Sequence, residues 1–544
     1  VAQALAGRGV SAAGYASFIN PVTPDLSDPF KFPDMTKAVE RLWRAVQYRE
    51  PVLIHGDYDT DGVTATALLA RALAQNGAVI KSFLPHRFDD GYGFTPESLH
   101  KAMEETKCAG CKVLVTVDCG INSTEAVDEA RRLGIDVIIT DHHEPGATLP
   151  AALAIINPKL HHDLESLHLL SGAGVAFKLS QAFVEHGKRM NLGGFATDLE
   201  ELLDFVALGT VADIVPLTGE NRILVKHGLK ILKKQIRPGI RALIEISKVK
   251  GELKPSDITF KLAPRVNAAG RLGNPNTALA LLTADKIVEA HKCAKALEEY
   301  NVRRQEKEQE IYNEARKQIE ESIDTENAYS ILVAGRDWHQ GVIGIVASRL
   351  ARDFNRPAIV LTIQNNEAYG SGRSVGSLNL VNVLSKVPHM LLRYGGHPMA
   401  VGLSLESSKV REFSDCFESL IRGELRKEDL VDNINYDGDA HISDIDDDFF
   451  SHLELLAPFG HMNTYPVFRF NHLECVRKSG VADNRHCRGV LRDKNDRQID
   501  FIAYNKPPDT IPQGEIDALA SPVRNEFYGE GKSQLQIVDI RQSY

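Results

Sequence analysis

The sequence predicts an α/β protein with a parallel-sheet domain, a long connecting helix, a second α/β domain and a C-terminal β-barrel. Three observations carry this. From about residue 40 to 160, short apolar runs alternate with helical stretches, the pattern of a doubly wound parallel sheet. From Ala284 to Ile323 a charged stretch runs without Gly or Pro, which reads as one long helical strut between lobes. Residues 435–544 hold short strands separated by turn signals, which reads as a small barrel or sandwich.

In order, the first domain should contain a helix over Met35 to Tyr48, a strand ending at His55, a helix over Gly62 to Asn76 and a strand over Val79 to Leu84. A helix after Pro96, a strand ending at Asp118, a helix from Asn122 and a strand ending at Asp141 follow, and residues 165–240 look largely helical. A second α/β segment begins at Tyr329–Ala334 and runs to about 425. Strands are then expected over Val467–Phe470, Arg488–Leu491, Ile499–Tyr504 and Gln534–Ile540. The implied boundaries are an N-terminal segment 1–40, a catalytic domain 41–250, a helical connector 251–328, a further α/β domain 329–428 and a barrel domain 429–544.

At 544 residues the chain calls for two to four domains, and 43% hydrophobic with 25% charged residues describes a globular protein in water. No apolar run approaches a membrane span, and Val1-Ala2-Gln3-Ala4 lacks a signal peptide's basic and apolar regions, so the expected location is the cytoplasm. Val1 rather than Met opens the chain, which leaves room for a piece ahead of it. The net charge of −10 argues against a generally basic nucleic-acid coat but not against a local basic groove. Seven scattered cysteines suit a reducing compartment better than a disulfide framework. Cys108-Ala109-Gly110-Cys111 is a lone C-x-x-C, and without a second pair it is a poor structural zinc site.

Three of the apolar runs end in acidic or imidazole residues. The first ends in His55-Gly56-Asp57-Tyr58-Asp59-Thr60-Asp61-Gly62, the second in Asp118, the third in Asp141-His142-His143. Ligands of parallel sheets collect at the carboxyl ends of the strands, so these residues should meet on one rim. With Asp213, the candidate ligands are His55, Asp57, Asp59, Asp118, His142 and Asp213. Four carboxylates and two imidazoles favour Mn²⁺ or Mg²⁺ over a sulfur-ligated metal. Two such ions ~3.5–4 Å apart would serve phosphoryl chemistry, activating water and neutralising charge on phosphate oxygens. A lone Asp at a strand end usually caps the next helix, and that is the reading preferred for Asp61. Six such residues on one rim are harder to ascribe to capping.

These motifs resemble those of the DHH phosphoesterase superfamily, and within it most closely the bacterial RecJ single-stranded-DNA-specific 5′→3′ exonucleases. The likeness extends over nearly the whole chain. It includes Pro85-His86-Arg87 before Gly91-Tyr92-Gly93, Ser171-Gly172-Ala173-Gly174, and Pro264-Arg265-Val266-Asn267-Ala268-Ala269-Gly270-Arg271. In the second lobe, Gly370-Ser371-Gly372-Arg373-Ser374 and Gly395-Gly396-His397-Pro398 match the DHH-associated domain. The resemblance implies that the six residues are metal ligands, that Asp118 is shared between two ions, and that His143 acts on the scissile phosphate. Asp118 and His143 are thus the expected catalytic residues.

A nuclease working from a 5′ end needs a pocket for a terminal phosphate, which the planar fork of arginine suits. Candidates are Arg87, Arg265, Arg271 and Arg373, with Ser371, and His397 from the second lobe. Any one arginine could instead serve a salt bridge. The C-terminal region resembles the family's OB-fold, which binds single strands by stacking bases and pairing phosphates. Arg477, Lys478, Arg485, Arg488, Arg492 and Lys494 make it locally basic. Met462 and Thr464 stand where the family usually has Gly and Pro, and His86 where it has Asn.

The function expected is removal of nucleotides from the 5′ ends of single-stranded DNA by a metal-dependent exonuclease in repair and recombination. Expected partners are single-stranded DNA, a single-strand-binding protein and a helicase, with the chain acting as a monomer away from membranes. One rival is a DHH phosphoesterase on short oligonucleotides or cyclic dinucleotides, though such chains usually stop after the second lobe. Another is a non-catalytic DNA-binding scaffold, which would be expected to have lost ligands.

Overall fold

The computed structural model describes residues 2–86, 93–108, 110–160, 164, 166–431, 433–525 and 531–543. The chain divides into two compact units. One comprises Val1–Ala263, Leu279–Ala290 and Asn435–Tyr544; the other comprises Pro264–Ala278 and His291–Ile434.

The first unit is built on five parallel strands, β1 (Pro51–Gly56), β2 (Val79–Phe83), β3 (Val113–Val117), β4 (Asp136–Thr140) and β5 (Ala154–Ile156), in the order β2-β1-β3-β4-β5. Val52, Leu53, Ile54 and all of β3 are buried, as befits strands covered on both faces. Helix α1 (Met35–Tyr48) leads into β1, and α2 (Thr60–Ala74), α3 (Pro96–Glu105) and α4 (Thr124–Arg132) are the crossovers between successive strands. The strand order reverses between β1 and β3, and a sheet of this order opens its ligand crevice at that point. Register does the rest. Gly56 pairs with Val117 and Val117 with Thr140, so Asp57, Asp118 and Asp141 leave three adjacent strands at one level. Behind them pack α5 (Gly172–Arg189), α6 (Leu203–Ala212) and α7 (Gly219–Lys234). Every residue of α6 from Leu203 to Val211 is buried, so its position is fixed from all sides.

The second unit carries a five-stranded mixed sheet in the order β6 (Ile331–Arg336), β7 (Ala358–Gln364), β8 (Glu367–Arg373), β10 (Ala400–Glu406), β9 (Arg393–His397). The long charged helix spans Ile287–Ser322. Among the described residues no helix is long and apolar enough to cross a membrane.

The first unit also contains the barrel. Strands β12 (Phe468–Val481), β13 (His486–Arg492), β14 (Gln498–Ala503), β16 (Lys532–Gln542) and β15 (Glu515–Asn525) close on themselves through a β12–β15 pairing. A two-residue strand, β11 (Gly438–Asp439), runs parallel to the start of β12. The expected four-residue strand at Val467–Phe470 is in fact fourteen residues long. It continues past the polar Asn471-His472 by a bulge in which His472 takes φ +56°. β15 was not expected. The N-terminal segment shares this core: Ala4 and Leu5 are buried with Phe470, Phe501 and Leu535.

The barrel's lead-in is held by Arg222 of α7. Its Nε donates to the Phe18 carbonyl (2.8 Å), Nη1 to Leu456 (2.9 Å), and Nη2 to Leu455 (3.2 Å) and Ala457 (2.8 Å). Its guanidinium stacks 3.9 Å above the Phe18 ring. Met462 adopts φ +58°, a conformation that glycine takes freely and that costs a side chain about 1–2 kcal/mol. Asn463 beside it is buried and donates to the Leu456 and Pro458 carbonyls, which holds the turn in that shape.

Candidate metal centre

At the carboxyl edge of the first sheet, carboxylates and imidazoles crowd together. Three groups have potential ligand atoms within 4.8 Å of one another: Asp57, Asp59 and Asp118; Asp61, His142 and Asp213; and Asp118, His142 and His143. Asp118 and His142 each belong to two groups, so the groups form one continuous site. His142 Nε2 lies 3.0 Å from Asp118 Oδ1, 3.6 Å from Asp213 Oδ2 and 4.0 Å from Asp61 Oδ2.

Each position has a local cause. Asp59 is the N-cap of α2: its Oδ1 accepts from the N–H groups of Asp61 (2.9 Å) and Gly62 (3.1 Å), which fixes its carboxylate. Asp118 sits in the left-handed region at φ +61°, so the chain turns sharply as it leaves β3. Such a conformation is more tolerable for Asp than for most side chains and is typical of strained functional sites. Asp213 is the C-cap of α6, and Ile214 after it takes φ +58°, a costly value for a β-branched residue.

Asp141 braces the cluster. Its Oδ1 accepts from the His142 and His143 backbone N–H groups (2.7 and 3.1 Å) and lies 2.7 Å from His143 Nδ1, while Oδ2 accepts from Ile121 N–H (2.9 Å). Burial alone would raise this carboxyl, but the His143 hydrogen bond and charge hold it below the usual range. Burial would likewise lower His143, yet Asp141, Asp57 and Asp213 bring it up to about 9. A cationic imidazole held by a buried carboxylate can meet a phosphate oxygen or protonate a leaving group.

Carboxylates within the three groups behave oppositely. Burial, reinforced by Asp61 and its neighbours, pushes Asp118 well above the ordinary carboxyl range. Burial and Asp59 raise Asp61 to about 7, and burial with Asp61 and Asp59 raises Asp213 to about 9. A concentration of mutually repelling buried carboxylates is a demand for cations. Hard oxygen donors with imidazole fit divalent Mn²⁺ or Mg²⁺, so the donor set suits the ions the sequence suggested.

His55 stands apart from these three groups. Its buried ring lies near Phe83 and Phe94, and its Nε2 is 3.1 Å from Ser98 Oγ. Asp61 has a larger part than its sequence position suggested. It does not cap its own helix; its carboxylate accepts from Gly172 N–H (2.6 Å) and Ala173 N–H (3.0 Å) at the start of α5. Gly172 itself escaped notice as a site residue. A Cβ there would stand 2.5 Å from Asp118 Oδ1, so only glycine lets α5 approach so closely. The run Ser171-Gly172-Ala173-Gly174 was the available signal, since consecutive small residues at a helix start permit such an approach.

The other candidates lie in the second unit, apart from Arg87, which falls outside the described residues. Arg373 Nη1 donates to Ser371 Oγ (3.0 Å) and to the Gly372 carbonyl (2.8 Å), and a Cβ on Gly344 would meet both side chains. Arg271 donates to the Gly341 carbonyl at 3.0 Å. Arg265 pairs with Glu298, its Nη2 3.1 Å from Oε1, which is the salt-bridge alternative for an arginine. His397 closes the exposed strand β9. On the barrel, Arg477, Arg485 and Arg488 are exposed on the β12–β13 hairpin. Arg492 and Lys494 pair with Glu474 and Glu515, and Lys478 donates to the Ile511 carbonyl. Cys108 and Cys111 are joined as a disulfide, where thiols were expected.

Known proteins resemble this chain along its whole length. The DHH family N-terminal domain matches residues 51–210, the DHHA1 domain residues 327–423 and the RecJ OB domain residues 436–539. The chain is 38% identical to the single-stranded-DNA-specific exonuclease RecJ of Escherichia coli (strain K12), over 93% of this chain and 89% of that protein. It is 35% identical to that of Bacillus subtilis (strain 168), over 99% of this chain and 67% of that one. Among solved structures, RecJ in complex with Mn²⁺ from Thermus thermophilus superposes with a TM-score of 0.85 at 30% identity, covering 100% of this chain and 76% of that one. The complex of the same protein with Mg²⁺ gives 0.79 at 28% identity, covering 100% of this chain and 74% of that one.

Proposed function

The chain belongs to the RecJ family of single-stranded-DNA-specific exonucleases, and from that premise we propose how its own residues carry the reaction and from which end it proceeds. It is a metal-dependent exonuclease on single-stranded DNA, with Mn²⁺ or Mg²⁺ as its metal. The single observation behind the mechanism is the continuity of the three ligand groups through Asp118 and His142.

In this reading His55, Asp57, Asp59, Asp118, His142 and Asp213 would hold the cations, with Asp118 common to them and His55 joining from outside the three groups, while Asp61 lends charge and locks α5 against the loop. Divalent cations bound there would offset charge building on the phosphate and would make water a competent nucleophile at neutral pH. The chain's own residues do the rest. Asp141 orients the two histidines, and His143 contacts the phosphate and carries a proton toward the leaving oxygen. Ser371 and Arg373 bind a terminal 5′-phosphate, which sets the direction as 5′ to 3′. Arg265, Arg271, Arg87 and His397 assist in gripping the strand, and the exposed arginines of the barrel track its backbone. The protein works on single-stranded DNA in repair and recombination, in the cytoplasm and as a monomer, on strands that a helicase exposes and a single-strand-binding protein coats.

The same strand presented alone and in a blunt duplex tests this. With Mn²⁺ the single strand is degraded and the duplex is spared; equal digestion of both, or products from dinucleotides only, would contradict the reading.

Metal and protons compete for this site. Asp61 and Asp213 titrate in the fold at about 7 and about 9, above the unfolded value of roughly 4. Their protonated forms therefore favour the fold below the unfolded value, and that contribution is lost as pH climbs through 7 to 9. Cations replace the protons. Stabilisation by Mg²⁺, read as a rise in Tm, should be larger at pH 8 than at pH 5.5; a hundredfold excess over Kd corresponds to about 3 kcal/mol. Equal rises at both pH values would show that these carboxylates do not hold the metal.

Gly172→Ala provides a second check. Its Cβ must displace Asp118, and a misplacement of ~1 Å costs on the order of a hundredfold in rate. Single-turnover cleavage should fall accordingly while strand binding persists; a wild-type rate would mean that Asp118 need not sit where it does.

A further inference from the structure

We propose that Phe260 is a stacking platform for a base of the bound strand beside the metal centre, an inference that rests on the single-strand nuclease reading above. Phe260 sits in a π-helical turn, Ile258–Leu262, of the first unit. Ile258 and Leu262 are buried, yet Phe260 is 76% exposed, more than any other Phe, Tyr or Trp among the described residues.

Single exposed apolar side chains are ordinary, so exposure alone says little. What distinguishes this one is where it is and how it is held. The carbonyl of Ala263, one helical turn further on, accepts from Thr60 Oγ1 at 3.3 Å, and Thr60 directly follows the carboxylate of Asp59. One turn of helix is about 5.4 Å, which places the root of the ring within a short span of the ligand loop. At ~3.4 Å per stacked base, that span corresponds to roughly two or three nucleotides.

The turn is also stiff. Asp257 receives the Lys254 N–H at 3.0 Å through one oxygen and Lys261 Nζ at 2.7 Å through the other, while Thr259 Oγ1 donates to the Pro255 carbonyl. π-Helical turns are frequently found at functional sites. A rigidly presented ring has what sequence-tolerant single-strand binding uses, a π face for any base. The occupant is thus a nucleobase of the substrate strand, and the contact sets affinity rather than chemistry.

The test uses the full chain. Trp43 and Trp338 are its only tryptophans and are 2% and 5% exposed, so Phe260→Trp adds a single surface reporter. With EDTA present to prevent cleavage, titration with a thymidine oligonucleotide should quench that reporter, and an abasic strand of equal length and charge should not. In steady-state digestion with Mn²⁺, Phe260→Ala should raise KM for single-stranded DNA about tenfold with kcat unchanged, and Phe260→Tyr should restore it. A KM within twofold of wild type, or equal quenching by the abasic strand, overturns the platform while leaving the nuclease reading intact. Failure of the wild-type protein to digest single strands overturns the nuclease reading, and this inference with it.

Discussion

Asp118→Ala is expected to lose at least about a thousandfold in single-strand cleavage, equivalent to ~4 kcal/mol of transition-state stabilisation, while retaining affinity for the strand. The reason is geometric. Asp118 is the one carboxylate common to two of the ligand groups, and it sits against both His142 and the start of α5. Its removal breaks the centre in the middle. The arginines of the barrel hairpin and the Ser371–Arg373 pair are untouched, so binding survives. The variant should fold well, since burial and repulsion from Asp61, Asp59 and Asp213 disfavour this carboxylate in the wild type. Cleavage within tenfold of wild type, with Mn²⁺ saturating, would remove Asp118 from the metal site.

Arg222→Ala is expected to cost about 3–5 kcal/mol and to loosen the barrel from the sheet domain. The side chain is 2% exposed, and all four of its protein acceptors are backbone carbonyls: Phe18, Leu455, Leu456 and Ala457. Burial brings the guanidinium down to about 10, still charged at any physiological pH. Truncation leaves a cavity over Phe18 and strips donors from four acceptors, each unmet one costing ~1–3 kcal/mol before water enters. Arg222→Lys should recover little, because an ammonium on one stem lacks the planar fork that reaches carbonyls on two sides. Limited proteolysis near residues 425–437 and a fall in Tm report the effect. A change below ~0.5 kcal/mol would mean the barrel is held elsewhere.

Much of the centre was legible because it is written in local motifs. Asp57, Asp118 and the Asp141-His142-His143 triplet each end an apolar run, and parallel register alone brings those ends to one level. The brace formed by Asp141 follows from adjacency, since its carboxylate bonds the next two residues. What escaped depends on contacts distant in sequence. Asp61 reads as a cap for its own helix, but its partners, Gly172 and Ala173, lie some 110 residues away. Nothing local to His55 shows that its ring would lie near Phe83 and Phe94 with Ser98 on its nitrogen.

The barrel shows the same division. β13 and β14 are apolar alternations and were expected within a few residues. β12 was cut short at Phe470 because Asn471-His472 interrupts the pattern, whereas the fold absorbs that pair in a bulge. β15 carries Pro522, a residue that argues against a strand unless pairing is irregular nearby, as it is between Leu519 and Ala520. The burial of Ala4 and Leu5 in the barrel could not be read from a segment more than 400 residues from its partners.

The most direct test of the metal centre and its polarity is digestion of one single strand labelled separately at its 5′ and 3′ ends, with Mn²⁺ or Mg²⁺ supplied and Asp118→Ala as control. The expected result is immediate release of the 5′ label as mononucleotide, a 3′ label that shortens progressively, and no release without metal or by the variant. Release of the 3′ label first, or equal release by Asp118→Ala, would contradict it.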